Sequence, residues 1–280
     1  MRISKTAVWL SAIVAFLVLI ASGAGLLLKS TYARETTSYA IQAMGQDIAN
    51  LVSVLTLFIA AYFVGKGSVR AFLVWMGALI SLIYAYVIYA FAAHFNSLFL
   101  VYVAILGLSF YTLVGSIIRL HLESLQPSFA VNTKAKLVSV FLLLLGILFY
   151  LLWLSEDIPA IVSGKVPQSL IENGLLTKPV HVLDLGLYLP GMIITAILLW
   201  RRRLLGYFFA IPLLVFSILT GIGIIAIDVV TSMKGMPASF GVDIFIAVIV
   251  VASLVLSVLY LREVNELRRE GLLNERKEQT

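Results

Sequence analysis

Cysteine is absent from the 280-residue chain, and charged residues are scarce. The absence of cysteine excludes disulfides, thiolate catalysis and cysteine-ligated zinc or iron–sulfur centres. Only 12% of the residues are charged, against about one quarter in soluble domains, and the mean hydropathy is +1.06. HExxH, GxSxG and P-loop motifs are also missing, so no reaction can be read from the sequence. The composition indicates a membrane protein.

Apolar sequence is abundant and occurs in long runs, with the charged residues at the ends of the runs. A hydrocarbon core about 30 Å thick requires roughly 20 apolar residues of helix. We therefore predict an all-α integral membrane protein, in which residues 1–261 form a bundle of eight transmembrane helices. The predicted spans are 7–28, 45–64, 71–92, 98–120, 137–154, 182–200, 204–229 and 240–261, followed by a polar cytoplasmic tail, 262–280.

The first apolar run has a second interpretation, a cleaved signal peptide ahead of seven spans. Its length exceeds the usual signal core of about 7–15 residues, which favours an uncleaved first span.

Basic residues are divided unequally between the two sets of loops. If the N-terminus is inside, fifteen of the 20 Lys and Arg residues lie on the cytoplasmic side. Because such residues near span ends are retained in the cytoplasm, we predict that both termini are cytoplasmic, in a plasma membrane or a bacterial or archaeal inner membrane. Basic residues do not alternate with aromatic ones on a soluble face, so we expect lipid and not nucleic acid as a partner.

The two halves of the chain show a weak similarity. The second and sixth spans open alike, with Asp47-Ile-Ala-Asn-Leu and Asp184-Leu-Gly-Leu-Tyr. The fourth and eighth spans also end alike, near Arg119 and Arg262. A shift of four spans preserves orientation, so the similarity predicts a 4+4 parallel repeat. The alternative explanation is the Leu, Ile and Val content that all membrane helices share.

Acidic residues and histidine enter the apolar sequence near the outer boundary. From the helical rise, Asp184 lies about 25 Å from the inner boundary and Asp47 about 28 Å. Polar side chains at this depth should face other helices or a water-filled cavity, because lipid offers no hydrogen bonds. We predict an outward-facing pocket lined by carboxylates and histidine, which binds a cation or small polar solute for transport or sensing. Its predicted residues are Asp47, Asn50, His94, Glu156, His181, Asp184 and Asp228.

Other interpretations of these residues stay open. Asp47 and Asp243 stand at the outer starts of predicted spans, where a carboxylate can simply cap the helix. His181 and Asp184, spaced i,i+3, could instead ligate a divalent metal in an enzyme with an outward-facing metal or acid–base site. Haem between His94 and His181 is disfavoured, because both lie near the outer boundary. In a third class, an assembly or scaffold subunit, the tail 263–280 would bind a cytoplasmic partner.

The longest outer connection is predicted to run from Ser155 to Lys178. The sequence Glu156-Asp157-Ile-Pro159 is expected to end the fifth span, which makes Asp157 a solvated loop residue. Further on, Pro167 and Gly174 stand where a short helix would start and end. The segment is either a two-turn interfacial helix over the pocket or an ordinary loop.

Overall fold

The computed structural model describes residues 5–129, 133–238 and 240–266, and the regular structure in these ranges is helical, without strands. Eight helices are long and apolar enough to cross a membrane, which confirms the predicted class of protein. We number the α-helices in chain order; α6 is short, and the others are the candidate spans. They are α1 Lys5–Leu27, α2 Thr37–Gly65, α3 Val69–Ala92, α4 Phe99–Ile118, α5 Ala135–Ser163, α6 Gln168–Asn173, α7 Pro179–Trp200, α8 Leu204–Met233 and α9 Phe240–Glu263, and a 3₁₀ helix covers Leu122–Phe129.

Two helices, α2 and α5, extend by about two turns or more beyond their predicted bounds. α2 begins at Thr37 because the Thr36 hydroxyl caps it, accepting a hydrogen bond from the Tyr39 amide at 3.2 Å. α5 continues past Pro159, so the prediction that the fifth span ends around this proline is wrong. The helix ends instead with Gly164 as its C-cap. Its φ of 64° lets the Gly164 N–H donate to the carbonyls of Ala160 and Ile161 in the last turn. Beyond it, of the two alternatives left open for this segment, a short helix is present, as α6.

The connections alternate between two faces of the bundle. We call the upper face the one that carries the connecting residues 28–36, 93–98, 164–178 and 234–238. The lower face carries the connecting residues 66–68, 119–129, 133–134 and 201–203. On the upper face, the Arg34 guanidinium donates to the Phe95 carbonyl at 2.9 Å. Beside it, the amide and Nδ1 of His94 contact the two carboxylate oxygens of Glu35, at 2.7 and 2.8 Å. These contacts hold the first loop against the α3–α4 turn.

On the lower face, two carboxylates tie the end of α9 to other helices. Glu266 accepts hydrogen bonds from the Ser68 hydroxyl and the Val69 amide, both at 2.6 Å, at the start of α3. Glu263 accepts from the amide and hydroxyl of Thr133, also at 2.6 Å, just before α5. Both carboxylates sit where helix N-termini leave N–H groups unpaired. The first residues of the predicted tail thus contact the chain's own helices, while 267–280 lie outside the described residues.

α3 and α8 occupy the centre of the bundle and are its most buried spans. A ring contact joins them, with the centroids of Phe72 and Phe208 6.2 Å apart. Small residues allow close approach between helices; for example, Gly45 of α2 lies directly against the backbone of Ile227 in α8. Within the first half α1 packs on α2, α2 on α3 and α3 on α4; within the second, α5 packs on α7, α7 on α8 and α8 on α9.

Candidate functional site

A cavity of about 190 Å³ lies where the two halves of the bundle meet. Residues of α2, α3, α5, α7, α8 and α9 form its wall, which is mainly aliphatic and aromatic. Among the described residues that line it, Asp184 is the single carboxylate, and none is Lys, Arg or His. The cavity therefore combines an apolar interior with one group that can carry a negative charge.

A local widening of α7 positions Asp184 at this wall. Residues Asp184–Tyr188 form a π turn, in which the Leu189 N–H donates to the Asp184 carbonyl five residues earlier. Pro190 follows directly, and its missing N–H removes one bond of the regular α ladder. From α5, the Tyr150 hydroxyl donates at 2.7 Å to a carbonyl within the turn. Single π turns are frequent at functional sites, since they shift the direction of the following side chains.

The Asp184 carboxylate is held by neutral donors. The indole Nε1 of Trp153 donates to Asp184 Oδ2 at 2.8 Å, and the Tyr84 hydroxyl of α3 lies close to the same carboxylate. Asp184 is only 9% exposed. Among the described residues, His181 is the one basic side chain that interacts with it. A carboxylate in such surroundings favours a ligand that brings a positive charge.

Aromatic rings make up much of the wall around Asp184. Tyr188 of α7 stacks on Phe216 of α8, with ring centroids 4.5 Å apart. Tyr84 meets these two rings edge-on, at 5.0 and 5.2 Å. On the α5 side, the rings of Trp153 and Phe149 lie 6.1 Å apart. Aromatic faces attract cations through the ring quadrupole, so this wall suits a positively charged ligand.

An ionic cluster adjoins Trp153 towards the upper face and links α5 to the start of α7. The His181 ring lies against the Trp153 indole, with centroids 4.2 Å apart. His181 Nδ1 lies 2.8 Å from Asp157 Oδ2, and its Nε2 lies 3.8 Å from Glu156 Oε2. Lys178 forms ion pairs with both carboxylates. Two predicted residues, Glu156 and His181, thus share one cluster, which Trp153 connects to Asp184.

The cluster corrects the expectation for Asp157. We expected a solvated loop residue, but Asp157 lies within α5 and its side chain is 19% exposed. The reason is that α5 continues past Pro159, which carries Asp157 on a helix against the start of α7.

Asp47 occupies a second polar site, between α1, α2 and α3. The Tyr32 hydroxyl donates to Asp47 Oδ2 at 2.6 Å, and the Tyr89 hydroxyl lies 3.0 Å from Oδ1. Gly25 of α1 packs directly against the carboxylate. The alternative that Asp47 caps a helix is wrong, because Thr36 caps α2 and Asp47 lies inside the helix. Asp243, by contrast, does lie in the first turn of its helix, α9.

The three remaining predicted residues have separate surroundings. Asn50 is 1% exposed and accepts a hydrogen bond at 3.0 Å from Gln46, which itself lines the cavity. His94 pairs with Glu35 in the first loop. Asp228 lies half-buried on α8. Of the seven predicted residues, all of them described, Asp184 is the one that lines the cavity.

The described residues contain no group of three or more His, Asp or Glu side chains arranged to hold a metal ion. In the ionic cluster, the Lys178 ammonium forms ion pairs with both Glu156 and Asp157. His94 and His181, considered as a haem pair, contact different carboxylates, Glu35 and Asp157. In the described part of the chain, these side chains form ion pairs and hydrogen bonds with one another.

The side chains that form hydrogen bonds with Asp47 and Asp184 were not identified from the sequence. They are chiefly tyrosine and tryptophan, which are also common as ordinary core residues of membrane helices. A usable signal was present in the third span, where Tyr84, Tyr86 and Tyr89 place three hydroxyl groups in apolar sequence. Buried hydroxyls need partners, and carboxylates of neighbouring spans are suitable acceptors.

The chain matches no protein-family model, no curated protein and no solved structure. Its function has to be inferred from the site itself.

Proposed function

We propose that the protein binds a small organic cation in the cavity beside Asp184, for transport or sensing. The observation that supports this most directly is the single carboxylate in a cavity whose wall is mainly apolar and aromatic, with Gln46, Ser217 and Thr220 as its neutral polar side chains. Burying an unpaired charge is costly, so a ligand with a compensating positive charge gains binding energy there. An apolar body on the same ligand would gain from contact with the rest of the wall.

The size and chemistry of the wall narrow the class of ligand. The volume of about 190 Å³ somewhat exceeds the roughly 150 Å³ of a cavity that binds benzene, so it accommodates a body the size of one aromatic ring. Tyr84, Tyr188 and Phe216 line the cavity, and an ammonium group that reaches a ring face there is attracted by it. A bare inorganic ion fits less well, because it needs several oxygen ligands in place of its hydration shell. We therefore propose a primary or substituted amine carrying a compact apolar group.

We further propose that the upper face is outside and that both termini are cytoplasmic. The proposal is supported by the distribution of Lys and Arg, fifteen of 20 of which fall on the side of the termini and the lower face. The run Arg201–Arg203 between α7 and α8 is the densest part of this set.

A parallel repeat of the two four-span halves is part of the same proposal. It is supported by the packing of consecutive spans on one another in each half; the halves differ in that α1 also packs on α4, whereas α5 makes little contact with α9. It is also supported by the two aspartates, which occur early in the second span of each half. Asp47 contacts Gly25 in the first span of its half, and Asp184 is bound by Trp153 in the first span of the other. In this interpretation, tyrosine side chains fill the space around Asp47, whereas the equivalent space beside Asp184 remains a cavity.

Binding of benzylammonium to the protein in lipid nanodiscs, measured by isothermal titration calorimetry, tests the proposed function. We expect saturable binding to the wild type and at least about tenfold weaker binding to Asp184→Asn, equivalent to about 1.4 kcal/mol. The side-chain amide of the Asp184→Asn variant has the size of the carboxylate and keeps an oxygen that accepts from Trp153, but it carries no charge. Benzyl alcohol, a neutral molecule of similar size, should bind more weakly to the wild type and equally well to both proteins.

Asp243→Asn provides the matched control, because it removes a carboxylate in the first turn of α9 that does not line the cavity. It should bind benzylammonium as the wild type does. Equal affinity of the wild type for both probes, or unchanged benzylammonium binding by Asp184→Asn, would overturn the proposal. Uptake of benzylammonium into proteoliposomes then distinguishes the two roles: uptake that depends on the protein indicates transport, and binding without uptake indicates sensing.

A further inference from the structure

The buried carboxylate of Asp47 is surrounded by neutral groups. Asp47 is 2% exposed and lies inside the spanning segment of α2. Its described neighbours include no Lys, Arg or His; the acidic Glu35, which interacts with Tyr102, is paired with His94. The side chains of this site come from α1, the first loop, α3 and α4, and they are Ser22, Tyr32, Tyr86, Tyr89 and Tyr102.

The site has no space for a metal cation beside Asp47 on the α1 side. A single methyl group added at Gly25 would overlap Asp47 Oδ2 and would come within 2.7 Å of the Tyr32 hydroxyl. The hydroxyls of Tyr32 and Tyr89 already contact the two carboxylate oxygens, Oδ2 and Oδ1 respectively. An ionised carboxylate without a countercharge would be very costly at this depth. A proton is the positive species that needs no additional volume.

The hydrogen bonds of Tyr89 agree with a protonated Asp47. The Tyr89 hydroxyl lies 2.9 Å from the Ala43 carbonyl and 3.0 Å from Asp47 Oδ1. A phenol has one proton to donate but can also accept. With an ionised Asp47, this proton would have to be shared between two acceptors. With a protonated Oδ1, Tyr89 donates to the Ala43 carbonyl and accepts from Asp47, so the contacts of Tyr89 need only its one proton.

We propose that Asp47 is a proton-binding site, in which Oδ1 carries the proton and Oδ2 accepts from Tyr32. The proton comes from hydronium: one of its O–H bonds breaks, one O–H bond forms on Asp47 Oδ1, and the neutralised carboxyl and a neutral water molecule remain. Burial raises the pKa of the Tyr32 phenol, so Tyr32 remains a donor throughout. This site is separate from the cavity and does not rest on the proposed binding of an organic cation.

A route for the proton leads towards the upper face. The Tyr102 hydroxyl lies between Tyr32 and Asn96, is buried, and makes no hydrogen bond of standard geometry to a described residue. The same is true of the Asn96 amide nitrogen. Asn96 also lines a surface depression beside Arg34 on the upper face. Buried hydroxyl and amide groups without partners are typical positions for ordered water, which could carry a proton from this depression to Asp47.

Infrared spectroscopy of the protein in lipid at neutral pH tests the proposal, because a protonated carboxyl has a C=O stretch distinct from carboxylate bands. We expect one such band to be lost in Asp47→Asn and kept in Asp184→Asn. Loss of carboxylate bands instead, in the Asp47→Asn difference spectrum, would overturn the proposal.

The Tyr89→Phe variant gives an independent measurement that retains Asp47. If Asp47 is protonated, loss of the phenol oxygen that accepts its proton should shift the C=O stretch to higher frequency. An unshifted spectrum would contradict the assignment of the proton to Oδ1. The Tyr102→Phe variant should slow the exchange of this band in heavy water, and exchange at the wild-type rate would reject the route through Tyr102.

Discussion

Trp153 donates a hydrogen bond of 2.8 Å from its indole Nε1 to Oδ2 of Asp184. The other side of the same residue lies against His181, which belongs to the ionic cluster with Asp157. A single side chain of α5 thus connects the charged groups near the upper face to the carboxylate of the cavity. Any change in the position of this indole would alter the surroundings of Asp184.

The Trp153→Phe variant should be less stable than the wild type, because the substitution keeps an aromatic ring but leaves a buried carboxylate oxygen without its donor. We expect a loss of about 1–3 kcal/mol in the free energy of unfolding. Unfolding in detergent, followed by circular dichroism, measures it. Trp9→Phe, at a position that is 71% exposed, should change stability by less than about 0.5 kcal/mol. Equal stability of the two variants would show that the hydrogen bond to Asp184 does not stabilise the bundle.

Two glycines of α1 provide a test of the contact between α1 and Asp47. A methyl group at Gly25 would overlap the Asp47 carboxylate, whereas one at Gly23 meets nothing within 4 Å. We expect Gly25→Ala to lower the free energy of unfolding by about 1–3 kcal/mol through overpacking. Gly23→Ala should be neutral or slightly stabilising, because alanine is the better helix former. A stable Gly25→Ala variant would mean that α1 can move away from Asp47 without cost.

The natural absence of cysteine allows the proposed orientation to be tested with single cysteines. Leu176 is fully exposed on the upper face, and Gln126 is exposed on the lower face. In intact cells, a membrane-impermeant maleimide should label Leu176→Cys. It should label Gln126→Cys only after the membrane is permeabilised. The reverse pattern would contradict the orientation predicted from the basic residues.

The spans could be predicted from the sequence because an uninterrupted apolar run of sufficient length has few alternatives in a bilayer. Their ends were less certain, since caps such as Thr36 and Gly164 act locally and can lie outside the most apolar residues. The surroundings of Asp47 and Asp184 could not be predicted at all. The two residues have similar depth and similar neighbours in sequence, yet one is enclosed by tyrosines and the other lines a cavity.

The sequence by itself determined that the chain is helical, with eight spans long and apolar enough to cross a membrane, and in which of these spans Asp47 and Asp184 lie. The tertiary structure decided which helices surround each of these residues. The physical reason is that apolar residues cover all sides of these spans, so their pattern does not show which side packs against protein and which against lipid. Close contacts such as Gly25 against Asp47, and hydrogen bonds such as Trp153 to Asp184, arise only when particular helices become neighbours.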